Sequence, residues 1–317
     1  MKYTFIAPVF RFKIDKVTTK GIRIYKNIKL TNDSTFLNEF VEKNNFREHI
    51  GEYHFEEIQN NTYIYIEGDS DDYVEKHKIN NQLEFAFFHL RGVQSWLELM
   101  WLIKDNGAYV RDGHFYVTPS EHINIGVYEK ASLDSITSTS EGEFVPTSFS
   151  KEEIISSRAL IDDLDINLEE YSHDGMLPTT NPFGKGFTRT SRASHFCTFA
   201  RRNSSLALKI FYYCTALECL FTTDNVEVSH KIAERAAYLI GKNGQERKHI
   251  YKTIKDAYNH RSNLTHGNTI KESNEKLMGF SKFLDSLLRE ILVNHEDVFA
   301  SKDLNSYFID LLFNAER

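Results

Sequence analysis

Cysteine and proline are scarce in this sequence of 317 residues, which holds three of the former and five of the latter. Cys197, Cys214 and Cys219 are odd in number and show no C-x-x-C spacing, so we predict buried free thiols and neither a disulfide nor a zinc site. No run of 18 apolar residues occurs, and the N-terminus lacks the apolar core and cleavage pattern of a signal peptide. These absences exclude a disulfide-rich secreted scaffold and a membrane span, and they predict a cytoplasmic protein.

The net charge of −7 is unevenly distributed along the chain. Residues 1–179 carry 18 Lys and Arg against 30 Asp and Glu, whereas residues 180–317 carry 20 against 15. A basic half beside an acidic one is a hint of a polyanionic partner such as RNA, although a surplus of five is far below that of a dedicated nucleic-acid binder. The length predicts two domains, and the 41% hydrophobic and 26% charged fractions are those of ordinary globular proteins.

Residues 1–148 mix strand-like and helical patterns, and we predict an α+β domain for them. A long amphipathic helix is predicted within residues 71–104, because apolar residues recur there every three or four positions. Residues 131–150, rich in Ser, Thr, Glu and Gly, are predicted to be the linker. The predicted strands are Tyr3 to Ile14, Ile22 to Leu30, Thr62 to Glu67, Gly107 to Tyr116 and Ile123 to Tyr128.

Two histidines of this first domain, His114 and His122, have carboxylates nearby in sequence. Neither takes part in a tight metal-ligand spacing. We therefore predict no metal and no cofactor, and interpret both as loop or strand histidines.

Residues 149–317 are helical by pattern over most of their length, with a loop predicted from about Tyr171 to Gly186. Ser150 opens a capping-box-like S-K-E-E start, and Ser204 to Phe221 is hydrophobic on nearly every side, which is typical of a central helix. A basic cluster precedes that helix without an intervening acid, and its phenylalanines Phe196 and Phe199 offer faces for base stacking. The equally open alternative is a solvated helix face with its rings in the core. The predicted RNA-binding residues are Lys185, Arg189, Arg192, Arg201 and Arg202.

Glu218 is the only charged residue between Ile210 and Thr223. A carboxylate in such an apolar helix is strongly destabilising unless it meets a cation or is neutralised. Arg261 and Arg235 both occupy apolar registers of later helices, so either one is a candidate partner. With either arginine as its partner, Glu218 would link its own helix to a later one by an ion pair.

The stretch A-Y-N-H-R-S-N-L-T-H-G at residues 257–267 closes a predicted helix. Arg261 lies on its apolar stripe, where a permanent charge requires an acid or a phosphate. His266 falls in the last turn, and Gly267 follows where a left-handed residue is expected. A fixed guanidinium with an imidazole near neutral pKa suits phosphate binding and proton transfer.

A long helix that ends in R-x4-H-G, preceded by a helix with A-L-E-C-L-F, resembles the HEPN superfamily, specifically its Apea-like branch. The resemblance covers roughly residues 150–317 and implies a small all-α bundle, in many members a metal-independent ribonuclease of toxin or antiphage systems. Many members carry Asn, Asp or His directly after this arginine. Here Ser262 follows, with Asn263 next, as the supporting residues.

By this resemblance Arg261 and His266 are the catalytic pair, with Glu218 and Arg235 in support. Arg261 would hold the scissile phosphate, and His266 would act as general base on the ribose 2′-hydroxyl or as general acid on the leaving oxygen. HEPN sites form across a homodimer, which supplies two histidines. The rival reading is a HEPN-type bundle that binds nucleic acid or protein without cutting. In either case we expect the N-terminal domain to sense a phage or cellular trigger and to regulate.

Overall fold

The computed structural model of the chain divides into two compact units. The first, here called the α+β unit, comprises Met1–Ile136 and Phe144–Thr179, and the second, the helical unit, comprises Thr137–Glu143 and Thr180–Arg317. This division differs from a single boundary at residue 148, because the chain passes between the units more than once. The structure describes residues 2–69, 81–119, 126–163, 184, 187–269, 271–301 and 303–314.

The α+β unit is built on a seven-stranded antiparallel sheet of order β3-β4-β5-β1-β7-β8, with the short β6 also paired to β1. A separate parallel pair joins β2 to β9. The strands are β1 Lys2–Phe10, β2 Phe12–Ile14, β3 Ile22–Tyr25, β4 Ile28–Thr31, β5 Thr62–Asp69, β6 Tyr109–Val110, β7 Asp112–Val117, β8 Val127–Ser132 and β9 Thr147–Phe149.

Helices cover both faces of this sheet. Successive residues of β1 point to opposite faces, and Phe5 and Ile6 are both fully buried, each in a different apolar cluster. Ile6 packs with residues of the three short helices, whereas Phe5 belongs to the cluster of the long helix. The predicted long helix is confirmed, and its N-cap Asn81 accepts a hydrogen bond from the Glu84 amide. These helices are α1 Thr35–Asn44, α2 Phe46–Ile50, α3 Glu52–Gln59 and α4 Gln82–Ile103.

Helix α5, Lys151–Asp163, belongs to the α+β unit. Its predicted capping box is present, since the Glu153 amide donates to Ser150 Oγ at 3.1 Å and the Ser150 amide donates to Glu153 Oε2 at 2.8 Å. The helix buries Ile154, and the indole of Trp96 in α4 donates to Ser157 Oγ at 3.1 Å. The helix predicted to open the second domain therefore completes the first core.

The polar segment Thr137–Glu143, predicted as part of a linker, is packed into the helical unit. Ser138 and Ser140 are each only 1% exposed. The Ser138 amide donates to the Arg201 carbonyl at 2.8 Å, and Ser281 Oγ donates to the Ser140 carbonyl at 2.5 Å. Buried hydroxyls and amides are tolerated where each finds a partner, so a hydrophilic composition does not by itself indicate a solvated tether.

In the helical unit, the predicted central helix is confirmed. Helix α7 packs against α6, α8, α9 and α10, and its inner face is fully buried. An antiparallel sheet region followed by mostly helical segments is thus the architecture of the chain. No helix among the described residues is both long and apolar enough to cross a membrane. The helices are α6 Arg189–Arg201, α7 Leu206–Phe221, α8 Val228–Ile240, α9 Gly244–Thr265, α10 Asn274–Asn294, α11 Glu296–Phe299 and α12 Leu304–Asn314.

Candidate active site at the end of helix α9

The C-terminus of α9 closes in a Schellman motif. The Gly267 amide donates to the Leu264 carbonyl at 3.2 Å, and the Asn268 amide donates to the Asn263 carbonyl at 2.8 Å. Gly267 has a φ of +68°, the left-handed conformation that the sequence predicts for it. His266 is the C-cap, and its amide bonds the Ser262 carbonyl at 3.0 Å. The Ser262 carbonyl thus holds His266, and the Asn263 carbonyl holds Asn268 in the turn that follows.

Arg261 is the cation that meets Glu218. Its Nη2 lies 3.1 Å from Glu218 Oε2, which joins α9 to α7. The guanidinium carbon also lies 5.6 Å from the ring centre of Phe211 and 6.0 Å from that of Tyr258. Both side chains of the pair are about a quarter exposed, at 28% and 24%. The pair therefore lies partly exposed at the protein surface, and its guanidinium packs against the rings of Phe211 and Tyr258.

The environment of Glu218 disfavours the ionised form of its carboxyl. Burial raises the pKa of its carboxyl, and neither the Arg261 charge nor the nearby Tyr258 hydroxyl cancels that effect. The Tyr258 hydroxyl donates its proton to the Cys214 carbonyl at 3.0 Å, and burial raises the pKa of that hydroxyl strongly. A carboxylate perturbed by burial beside a specific cation is a feature found often at functional sites.

Arg261 retains hydrogen-bonding capacity beyond its acid. Its Nε is buried and has no hydrogen-bond partner among the described residues. A guanidinium offers five N–H donors in a planar fork that matches phosphate oxygens. Nε is out of reach of an incoming ligand, but Glu218 contacts only Nη2 and the side chain is 28% exposed, so Nη donors remain for an anionic group at the surface.

His266 is exposed at the same helix end. Five residues in a helix turn through about 140° and rise about 7.5 Å, so its imidazole does not share a face with Arg261. Within the described chain, no hydrogen bond or ion pair joins the two side chains. The structure thus places Arg261 and His266 at one terminus, but does not bring them into contact.

His260 is a residue of this region that the sequence interpretation missed. It is 4% exposed, its Nδ1 lies 3.2 Å from Glu272 Oε2, and its ring packs on Phe280 of α10 at 5.1 Å. Burial lowers its pKa, and the Glu272 carboxylate opposes that shift. The contact ties the segment after His266 back onto α9. His260 follows Ala257 by three positions, so the stripe periodicity was a usable signal.

Arg235 and Arg189 have a structural role at the end of α7. Arg235 Nη1 donates to the Phe221 carbonyl at 2.6 Å, and its Nη2 donates to Asn305 Oδ1 at 2.6 Å. Arg189 Nη1 donates to the Cys219 and Thr222 carbonyls at 3.0 and 2.8 Å. Both guanidinium groups satisfy helix-terminal carbonyls that have no partner within the helix. Arg235 is therefore not the partner of Glu218.

The predicted basic cluster does not form one surface. Arg201 is 3% exposed, Arg189 is occupied at the α7 terminus, and Arg192 donates to the Phe187 carbonyl at 2.7 Å. Arg202 is exposed. Lys185 lies outside the described residues. Of the five predicted RNA-binding cations, Arg202 is exposed, Arg189 and Arg192 are half-buried, and Arg201 is buried.

A second titratable cluster lies in the α+β unit. Potential ligand atoms of His54, Glu57 and Asp112 lie within 4.8 Å of one another. Arg111 already bridges the two acids, with Nη2 2.8 Å from Glu57 and Nε 2.7 Å from Asp112, and Lys130 lies 3.7 Å from Asp112. Two cations compensate two carboxylates there, so we assign no metal to the cluster. His122 lies outside the described residues.

Comparison of the chain with family models, with curated proteins and with solved structures gives no match.

Proposed function

We propose that the helical unit is a metal-independent endoribonuclease of the HEPN, Apea-like type. The observation that supports this most is the Glu218–Arg261 pair at a surface helix end that also presents His266. An arginine with a spare donor edge, an acid that orients it and an exposed imidazole are the groups that phosphodiester cleavage by the 2′-hydroxyl requires. A toxin or antiphage effector in the cytoplasm is the setting we propose for this activity.

In the proposed mechanism, the ribose 2′-oxygen attacks the adjacent phosphorus while a histidine accepts its proton. The bond from phosphorus to the 5′-oxygen breaks, and a second histidine donates a proton to that oxygen. The products are a 2′,3′-cyclic phosphate and a 5′-hydroxyl. Arg261 stabilises the charge that develops on the phosphoryl oxygens. Because one chain offers one histidine at this motif, we propose a two-fold homodimer in which His266 of each copy faces a shared cleft.

The test is incubation of the full-length protein with total RNA in excess EDTA. His266→Ala and Arg261→Ala should each lower cleavage by about 100-fold or more while both variants stay folded. His249→Ala is the matched control, since it removes another exposed histidine of α9. Equal cleavage by the parent and all three variants would show that neither His266 nor Arg261 takes part in the mechanism. Sedimentation that shows an active monomer would refute the dimer.

A second candidate function is RNA or protein binding without cleavage. It is favoured by the contact between Glu218 and Arg261, because a phosphate must compete with that carboxylate for the guanidinium. The same assay separates the two functions. A binder would retain RNA in EDTA without producing cyclic-phosphate ends, and His266→Ala would leave that retention unchanged.

We also propose that the N-terminal part restrains the activity or recruits it to a phage or cellular trigger. The support is the opposite charge balance of residues 1–179 and 180–317. A fragment that begins at Ser150 would lose Ser138 and Ser140, which fill the helical unit, so the full chain is the material to test. If acidic residues shield the site, cleavage should rise as salt is first added and then fall. A rate that only falls would exclude shielding and favour recruitment.

A further inference from the structure

One face of helix α7 is left partly uncovered in the helical unit. Its residues recur every three or four positions and are partly or fully exposed, while Ile210, Tyr213, Leu217 and Leu220 on the other face are fully buried. This face is apolar and aromatic over most of its length, and it ends at the candidate active site. Its residues are Leu208, Phe211, Tyr212, Thr215, Glu218 and Cys219.

Four aromatic rings form a continuous row across this face, here called the aromatic strip: Phe196, Phe199, Phe211 and Tyr212. Tyr212 lies at its centre, with ring centres 5.7 Å from Phe199, 6.5 Å from Phe196 and 5.3 Å from Phe211. Arg261 stands over Phe211 at 5.6 Å. The row thus leads from the exposed Phe199 on α6, across α7, to the guanidinium of α9.

Cations lie at both ends of the strip. Arg261 lies at the α9 end, next to Phe211, and its side chain is 28% exposed. Arg192 lies at the α6 end, one helical turn before Phe196, and its Nη1 donates to the Phe187 carbonyl at 2.7 Å. Arg202, just after α6, is exposed. Stacking surfaces between guanidinium groups are the arrangement that binds single-stranded nucleic acid.

We propose that the aromatic strip is the substrate-binding track of the helical unit, and that it takes single-stranded RNA with bases on the rings and phosphates toward Arg261 and Arg192. The proposal rests on the proposed function and specifies its substrate class as unpaired RNA. Duplex RNA keeps its bases stacked inside the helix and presents its sugar–phosphate surface, so it gains nothing from open ring faces. The guanidinium groups at the ends of the strip match a polyanion, and a second copy of the chain on this face would be detected by sedimentation.

Binding is measured on the full-length His266→Ala variant, which keeps the RNA intact. Fluorescence anisotropy compares short labelled oligoadenylate, about 12 nucleotides long, with a duplex of the same length. Phe199→Ala and Tyr212→Ala should each weaken single-strand binding about tenfold, and Tyr212→Phe should retain it, because stacking needs only the ring. Tyr251→Ala, a partly exposed tyrosine elsewhere on α9, is the matched control.

Three outcomes would overturn the proposal. One is equal binding of duplex and single strand, and another is that Phe199→Ala and Tyr212→Ala behave like Tyr251→Ala. The third is that these substitutions change the sedimentation coefficient but leave RNA binding intact, which would assign the strip to an interface between copies. Strip-dependent binding without cleavage by the parent protein would uphold this inference and refute the ribonuclease. Cleavage that depends on His266 but is unchanged by substitutions in the strip would uphold the ribonuclease and refute this inference.

Discussion

Asp112 in the α+β unit and Glu218 in the helical unit are both carboxylates withdrawn from water, but their pKa values move in opposite directions. Burial raises the pKa of Asp112, yet hydrogen bonds from Ser132 and Arg111, with nearby positive charge, outweigh it and leave that pKa lowered. For Glu218 burial prevails, and the pKa is raised. The number of partners around each acid accounts for the difference.

Each site uses its arginine differently. Arg111 divides its donors between two acids and closes a neutral network that also includes Lys130. Arg261 meets one acid, rests on aromatic rings and keeps a donor without a partner in the described chain. A closed network stabilises a fold, whereas an open pair holds a charge ready for a ligand at some cost in stability. We therefore expect substitutions at the two sites to separate stability from activity.

The largest expected effect is that of Arg111→Met. Removing this guanidinium leaves Glu57 and the almost fully buried Asp112 facing each other, so the α+β unit should lose about 2 kcal/mol. The loss stays below that of a fully buried pair because Arg111 is 36% exposed. Urea unfolding followed by tryptophan fluorescence measures it, since both tryptophans, Trp96 and Trp101, lie in α4.

RNA cleavage by Arg111→Met should match the parent at temperatures where the variant is folded. An equally large loss of stability for Arg261→Met would contradict the proposed difference between the two sites. It would show that the Glu218–Arg261 pair stabilises the fold as much as the Arg111 network does.

The next effect is the pH dependence of the α+β unit. Burial lowers the pKa of His114 to about 3, and the neighbouring His54 charge adds to the shift. The folded state thus keeps this imidazole neutral while the unfolded chain protonates it below about pH 6.5. Unfolding takes up a proton, so stability should fall by about 1 kcal/mol per pH unit as the pH drops from about 6 towards about 4.

His114→Gln keeps a polar side chain near the Tyr128 hydroxyl, 2.9 Å from His114 Nδ1 in the parent, and cannot titrate. Its tryptophan-monitored stability should change less with pH over this window. Parallel curves for parent and variant would show that other groups, such as the neighbouring Asp112, determine the acid sensitivity.

The smallest effect on stability is expected for Glu218→Gln, which should stabilise its unit, whereas Arg111→Met should destabilise the other. A carboxyl with a raised pKa favours the fold below its ordinary pKa, and that contribution is lost as the pH rises through the raised value. Above the raised pKa the ionised acid costs stability, so at such pH the amide should make the helical unit about 1 kcal/mol more stable. Unfolding of the helical unit is measured by circular dichroism, because both tryptophans lie in the α+β unit and their fluorescence does not report on it.

RNA cleavage by Glu218→Gln should fall by about tenfold, because the neutral amide holds Arg261 less firmly. A variant that is both less stable and fully active would show that Glu218 serves only as a structural counter-ion.

Patterns of short range were good predictors of local structure here. Ser150 and Gly267 each mark a helix end by chemistry confined to a few residues, and each was found at its predicted helix end. The burial of Lys209 was not predictable in the same way. Its Nζ donates to the Ala200 carbonyl, and its burial depends on the α6–α7 hairpin rather than on its neighbours in sequence.

By itself the sequence determined the long helix α4, the helix ends at Ser150 and Gly267, the central position of α7, and the requirement that Glu218 meet a cation, because periodicity and desolvation act on local segments. Only the tertiary structure decided that Arg261 rather than Arg235 is that cation, since both share an apolar register and only packing brings one within 3.1 Å. It also decided that residues 137–143 belong to the helical unit and α5 to the α+β unit. Such choices rest on contacts between residues far apart in the chain, which composition and spacing do not encode.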